Sequence, residues 1–180
     1  MPELHDAHDL ASFRREFARW LDEALADPLF GPLVPLLTVE AKERITQFAS
    51  RLVETNQALN LTAITSAQDV AVKHVADSLT CLLVGEWATG AAVCDVGTGG
   101  GFPGMVIAIT RPDLKVRLVD AVAKKLAFLS TVAGELGVSV DVRHGRAEEL
   151  GRDKQMRESH DLVVARAVAR LAVLAEYCLP

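Results

Sequence analysis

The chain has 180 residues; half are apolar, 24% are charged, only 5% are aromatic, and the net charge is −5. This composition excludes a disordered chain, which needs low hydrophobicity and high net charge, and a collagen-like or low-complexity one. The charge is uneven, with 7 basic and 13 acidic residues in 1–92 against 12 and 11 in 93–180, so no domain-wide basic footprint exists and any nucleic-acid contact must come from a local patch.

The N-terminus, MPELHDAHDL, is acidic and has no apolar core of a signal peptide. No run of about 18 apolar residues follows, so no membrane span is expected. Residues 9–27 place Leu10, Phe13, Phe17, Trp20, Leu21 and Leu25 on one helical stripe. Pro28 stops it, and PLFGPLVPLL (28–37) reads as an apolar linker. Thr38 caps a second helix striped by Ile45, Phe48, Leu52 and Leu59. After the turn NLTAITS, Ser66 and Asp69 resemble a capping box opening a helix through Val70, Val75, Leu79, Leu82 and Leu83.

The pattern changes at residue 93. VCDVG (93–97), VRLVD (116–120), VSVDVRH (138–144) and DLVVAR (161–166) read as strands. Helical stretches lie between and after them, over 103–111, 121–136, 146–156 (polar, a short helix plus loop) and 167–177. Such alternation predicts an α/β fold of βαβ units around a parallel sheet. The expected division is 1–37, a helix and Pro-rich linker; 38–92, a helical extension; and 93–180, a Rossmann-like core. Cys81, Cys94 and Cys178 form no C-x-x-C pair and read as buried thiols of a reducing compartment, so the expected location is cytoplasmic. The histidines are scattered, and no metal is expected.

The chemistry concentrates at Asp95-Val-Gly97-Thr-Gly99-Gly-Gly101-Phe-Pro-Gly104. Glycines between a strand and a helix let the backbone approach a ligand closely. Gly99-x-Gly101-x-x-Gly104 formally matches the dinucleotide fingerprint, but the glycine that directly follows the strand is Gly97, and its frame puts Phe102 where the third glycine belongs. A nicotinamide binder is thus the competing reading. Asp95-x-Gly97-x-Gly99, with an acid ahead of the loop, is the pattern of S-adenosylmethionine methyltransferases. No Lys-Ser or Lys-Thr pair closes the loop as a phosphate-binding P-loop requires. Asp120 ends the second strand, where an acid can accept from both ribose hydroxyls. Arg146-Ala147-Glu148-Glu149 follows the third strand, where methyltransferases meet the adenine ring. Arg166 sits at the carboxyl end of the fourth strand, where open α/β sheets bind ligands, and its charge near a helix start calls for an anionic or carboxylate partner.

Asn60-Leu-Thr62, His74-Val-Ala-Asp77-Ser78, DVGTGGGFPG, LVDAVAKKLAFL, GRAEEL and ARAVARL together resemble the bacterial glucose-inhibited division protein B family, from about residue 38 onward. The resemblance implies 16S ribosomal RNA (guanine-N7) methyl transfer with S-adenosyl-L-methionine as cofactor and 16S ribosomal RNA or the small ribosomal subunit as partner. It implies cofactor contacts at Gly97, Phe102, Ala147, Glu148 and Arg166, with Asp120 in the ribose-acid position; Gly99 of the loop is a further cofactor-binding candidate. Ala121 and Lys124-Lys125 stand where members often have a serine and a lysine-arginine pair.

Neutral guanine N7 carries a lone pair and no proton, so no general base is needed and no catalytic residue is assigned; the task is to place N7 in line with the leaving sulfur. Asn60, Lys73, His74, Asp77 and Arg170 are the substrate-side candidates. His74 and Asp77 share a helix face, where capping or packing is the competing reading, and Asn60 in a tight turn is often structural. Lys124, Lys125, Arg143 and Arg146 complete the candidate RNA patch. By the resemblance the full sheet has seven strands in the order 3-2-1-4-5-7-6. Four are legible, so the expectation is a 3-2-1-4 sheet with strands five to seven missing. Strand four then becomes an unpaired apolar edge prone to self-association. The alternative is an inactive remnant, truncated at its C-terminus, that binds cofactor or another chain.

Overall fold

A computed structural model describes residues 7–179; residues 1–6, which hold most of the acidic start of the chain, and residue 180 lie outside the described residues. Helix α1 (Ala7–Leu25) buries Phe13, Phe17 and Leu21, the stripe its spacing predicts. The segment expected as a linker is folded. Asp27 Oδ1 accepts from the Leu29 N–H at 2.8 Å and starts a 3₁₀ helix, Pro28–Leu33, whose Phe30 and Leu33 are buried along with Leu37. Three residues per turn put Phe30 and Leu33 on one side, so proline content here sets the helix type rather than preventing burial.

Helix α2 (Val39–Leu59) starts at Thr38, whose Oγ1 accepts from the Ala41 N–H at 3.1 Å, and ends at Asn60, left-handed at φ 51°. Residues 67–83 form α3, opened by Ser66, whose Oγ accepts from the Asp69 N–H. Its stretch Val70–Ala76 is π-helical, followed by an α-turn at Asp77–Thr80 and a 3₁₀ turn at Cys81–Leu83.

Strands β1 (Ala92–Val96), β2 (Lys115–Asp120), β3 (Asp141–His144) and β4 (Leu162–Ala165) form a parallel sheet in the order β3-β2-β1-β4. The register sets Val96 between Val119 and Ala165, so the C-terminal ends of β1, β2 and β4 lie level. Helices α4 (Gly104–Thr110), α5 (Ala123–Leu136), α6 (Ala147–Leu150) and α7 (Leu171–Cys178) follow the strands in turn. Helix α7 begins later than its sequence suggests because Ala167 sits at φ 56°, outside helical space. Residues 166–170 are therefore a loop.

Side chains alternate across the sheet. Val93, Val116, Leu118, Leu162 and Val164 face the main core, which runs without a break from Phe13 of α1 to Leu136 of α5. Cys94, Val96 and Val119 face the other way, against Met156 and the half-buried Ala147, Leu150 and Cys178. Among the described residues no helix is long and apolar enough to cross a membrane.

Candidate functional site

The glycine loop is fastened to β2 by backbone bonds. Gly97 and Thr98 both donate to the Val119 carbonyl at 2.9 Å, an arrangement that needs Gly97 in the left-handed region, at φ 72°. Gly99 N–H donates to Asp120 Oδ2 at 2.9 Å, and Val122 N–H donates to Asp120 Oδ1 at 2.8 Å. These bonds use two of the roughly four acceptor positions of a carboxylate and leave one on each oxygen. Gly101 has a different task. At φ 102°, a Cβ there would lie 2.7–2.9 Å from Leu129, Phe48 and Met105, so this glycine is a packing requirement of the main core.

Beneath the loop, Asp95 is fully buried. Its Oδ2 accepts from the Gly104 N–H at 2.8 Å, while its Oδ1 and the neighbouring Thr98 Oγ1 have no partner within hydrogen-bonding geometry. Burial pushes the Asp95 carboxyl up to about 6.

At the C-terminal ends of β1 and β2 a cleft of about 220 Å³ opens, lined by Gly97, Asp120, Arg146, Ala147, Glu148, Val168 and Tyr177 among others. Glu148 accepts from Tyr177 Oη at 3.0 Å, which ties α6 to α7. Its own backbone N–H and then this tyrosine hold the exposed Glu148 carboxyl below the usual carboxylate range. The cleft therefore gathers Gly97, Asp120, Ala147 and Glu148, with Gly99 joined through Asp120. The two open Asp120 lone pairs and the glycine backbone fit a ligand with a ribose, a purine ring and a polar tail.

Phe102 and Arg166 belong to a second constellation beside the cleft. Phe102 is buried, stacks on the His74 ring at 4.4 Å between centroids and packs against Phe48. The Arg166 guanidinium lies 5.4 Å from the Phe102 ring centroid. It donates through Nη1 to the Lys73 carbonyl at 2.7 Å and to Asp77 Oδ2 at 3.0 Å, and through Nη2 to His74 Nδ1 at 2.8 Å. The carboxylate partner that the arginine's position called for is Asp77. An arginine has donors only, so His74 Nδ1 is the acceptor and Nε2 carries the proton. That proton points at Thr62 Oγ1, 2.8 Å away. Burial first, and the Arg166 charge second, hold His74 down at about 4, so the ring is neutral at pH 7.

The GidB family model, described as rRNA small subunit methyltransferase G, matches residues 41–180. The chain belongs to this family. It is 47% identical over 146 residues to the ribosomal RNA small subunit methyltransferase G of Pelotomaculum thermopropionicum, covering 81% of this chain and 61% of that one. Matches to the proteins of the same name from Lactobacillus helveticus (47% over 148 residues; 81% and 62%) and Lactobacillus delbrueckii subsp. bulgaricus (48% over 161 residues; 88% and 67%) are similar. The chain spans about three fifths of the length of the curated relatives it matches.

Within this family member the remaining candidates are dispersed. Asn60 is the left-handed cap of α2, and its backbone N–H bonds to the Asn56 carbonyl. Lys73 contributes its carbonyl to Arg166, while its ammonium pairs with Asp69 at 2.9 Å. Arg170 is exposed, at the cap position of α7. Sequence reasoning assigned no role to Thr62, Val168 or Tyr177. Thr62 lies inside a quoted motif and Tyr177 is the chain's single tyrosine, but Val168 carries no signal beyond its place two residues after Arg166.

Proposed function

We propose that the chain methylates N7 of a guanine in 16S ribosomal RNA, with S-adenosyl-L-methionine as methyl donor and the small ribosomal subunit as partner, in the cytoplasm. The observation that carries this reading is the Asp120-fastened glycine loop opening onto the cleft. Gly97 offers bare backbone there and Gly99 is joined through Asp120, which keeps a free lone pair on each oxygen for two vicinal hydroxyls, while Ala147 and Glu148 form the wall for a purine. S-adenosyl-L-methionine, when bound, supplies an electrophilic methyl group on a sulfonium.

Phe102 and Arg166 link this cleft to the substrate-side candidates. Arg166 holds His74, Asp77 and the Lys73 carbonyl in one cluster, and Phe102 supports it from the glycine loop. Guanine N7 attacks with its own lone pair, so the residues need only orient the base. The state of His74 agrees: with Nδ1 occupied by Arg166 and a proton on Nε2, it has no free lone pair with which to act as a base. Lys73 joins the cluster through its carbonyl, and Arg143, Arg146 and exposed Arg170 supply positive charge toward a phosphate backbone. The outer edge of β4 is the surface we assign to pairing between copies; a monodisperse monomer in sedimentation overturns that assignment.

Incubation with small ribosomal subunits lacking the modification and with labelled S-adenosyl-L-methionine tests the main reading. Digestion of the RNA should yield N7-methylguanine. A chain that binds a nicotinamide dinucleotide and not S-adenosylhomocysteine, or that transfers no methyl at saturating cofactor, overturns it.

A further inference from the structure

The hydrogen bonds around Thr62 determine the direction of its hydroxyl. His74 Nε2–H donates to Thr62 Oγ1 at 2.8 Å, because Arg166 occupies Nδ1. The Ile64 N–H donates to the same oxygen at 3.0 Å. A hydroxyl oxygen has two lone pairs, and both are filled by donors that cannot reverse: a backbone amide, and a ring nitrogen whose tautomer an arginine fixes. What remains is the single Thr62 O–H, which has no acceptor among the hydrogen bonds of the described residues. Free threonine hydroxyls read donors and acceptors alike. This one is locked as a donor.

Its position is equally constrained. The Thr62 N–H is held by Asn56 Oδ1 at 2.8 Å, and the preceding Leu61 carbonyl lies 3.5 Å from where a side chain on Gly100 would begin. The His74 ring that Thr62 accepts from stacks on Phe102. The turn 60–62 is thus built against the glycine loop, and Thr62 is half-buried.

We propose that the Thr62 hydroxyl donates to O6 of the target guanine and so selects guanine over adenine, an inference that rests on the methyl-transfer reading above. N7 itself must stay free to attack. Its neighbour on the same base edge is O6, an acceptor, in guanine, and an amino group, a donor, in adenine. A reversible hydroxyl would tolerate both. The locked donor satisfies guanine and leaves adenine with two opposed N–H and O–H groups, whose unpaired burial is the stronger part of the discrimination.

The test uses the full chain and small subunits reconstituted with 16S RNA carrying either guanine or 2-aminopurine, which keeps N7 but lacks O6, at the methylated position. Wild-type kcat/KM should fall about 10- to 100-fold on the analogue. Thr62→Val should lose a similar factor on guanine and almost nothing further on 2-aminopurine, whereas Thr62→Ser should keep guanine activity within about threefold. Calorimetric affinity of Thr62→Val for S-adenosylhomocysteine should stay within about twofold of wild type, and its melting curve should remain cooperative. Equal losses by Thr62→Val on both substrates, or a fall in cofactor affinity that Thr62→Ser shares, mean that Thr62 only supports His74 and overturn the inference. A wild type that methylates neither substrate instead removes the methyl-transfer reading, and the Thr62 role with it.

Discussion

The two faces of the sheet differ in thickness. One carries Val93, Val116, Leu118, Leu162 and Val164 into a core filled by α1 to α5, where Phe17, Ile45, Phe48 and Leu129 have no exposed surface. The other offers Cys94, Val96 and Val119 to one buried methionine, a four-residue helix and α7, whose side chains are at most half-buried. The first face has the apolar area to fix the fold. The second contributes little area, and it carries the cleft wall at Ala147, Glu148 and Tyr177. Ligand-handling elements are drawn from the less stable end of a structure, because a wall that must adapt cannot also be the most tightly packed part.

The contrast is open to direct attack. Leu118→Ala, at a position with no exposed surface, should cost about 3–5 kcal/mol in urea unfolding, and Met156→Ala on the thin face less than about half of that; equal losses would erase the distinction. Gly101→Ala should cost about 2–3 kcal/mol, because the new methyl group meets Leu129, Phe48 and Met105 at a backbone angle that disfavours side chains. A Cβ on Gly99 would make only an ordinary contact, 3.8 Å from the Gly97 carbonyl oxygen, at a left-handed φ of 57°, so Gly99→Ala should cost about 1 kcal/mol. The same unfolding curves decide both.

Titration sharpens the comparison, since the groups with opposed shifts both belong to the thick side. His74 sits near 4 in the fold, below its ordinary 6.5, so the unfolded chain takes up the proton first. Its contribution is full above pH 6.5 and is lost as pH falls toward 4. Asp95 sits near 6, above its ordinary 3.8, so the fold takes up that proton first and the penalty of a buried charge is relieved as pH falls from 6 toward 4. The slopes oppose, at about 2 kcal/mol for Asp95 and less for His74, which keeps part of its solvation. Stability of the wild type should therefore change little between pH 6 and 4. Asp95→Asn should expose a loss on acidification and His74→Gln a gain, read from urea midpoints at pH 6.5 and 4.5; parallel curves for all three proteins would contradict the assignment. Smallest of all, Tyr177→Phe on the thin face removes one exposed hydrogen bond to Glu148 and should weaken S-adenosylhomocysteine binding by about two- to threefold with no measurable change in unfolding.

The sheet was legible in the sequence because period and punctuation carry it: four apolar runs, each separated by a helical stretch, and Gly97 directly after the first. The order 3-2-1-4 followed by resemblance and is the order observed. The folded Pro28–Leu33 segment was not legible, because its three-residue spacing of Phe30 and Leu33 is too short to stand out among prolines. Nor was the π-helical stretch of α3, which changes the hydrogen-bond partner without changing composition. The site divides in the same way. Asp120 and Gly97 could be paired because each ends or follows a strand in a known register. The link from Arg166 to His74 spans 92 residues, and only packing brings Thr62 under that histidine. Sequence supplied the residue types of this network but no means of choosing among their pairings.

Val168 restricts access to the glycine loop from one side. Its methyl group rests where a side chain on Gly97 would begin, at 2.6 Å from that position, and Ala167 before it is bent to a positive φ. The protein thus plugs its own closest backbone approach. A ligand atom approaching Gly97 along that one direction meets the Val168 methyl group, while the rest of the cleft that Gly97 and Val168 both line stays open. The left-handed alanine costs about 1 kcal/mol, and the Arg166 contacts with α3 next to it hold the segment in this arrangement.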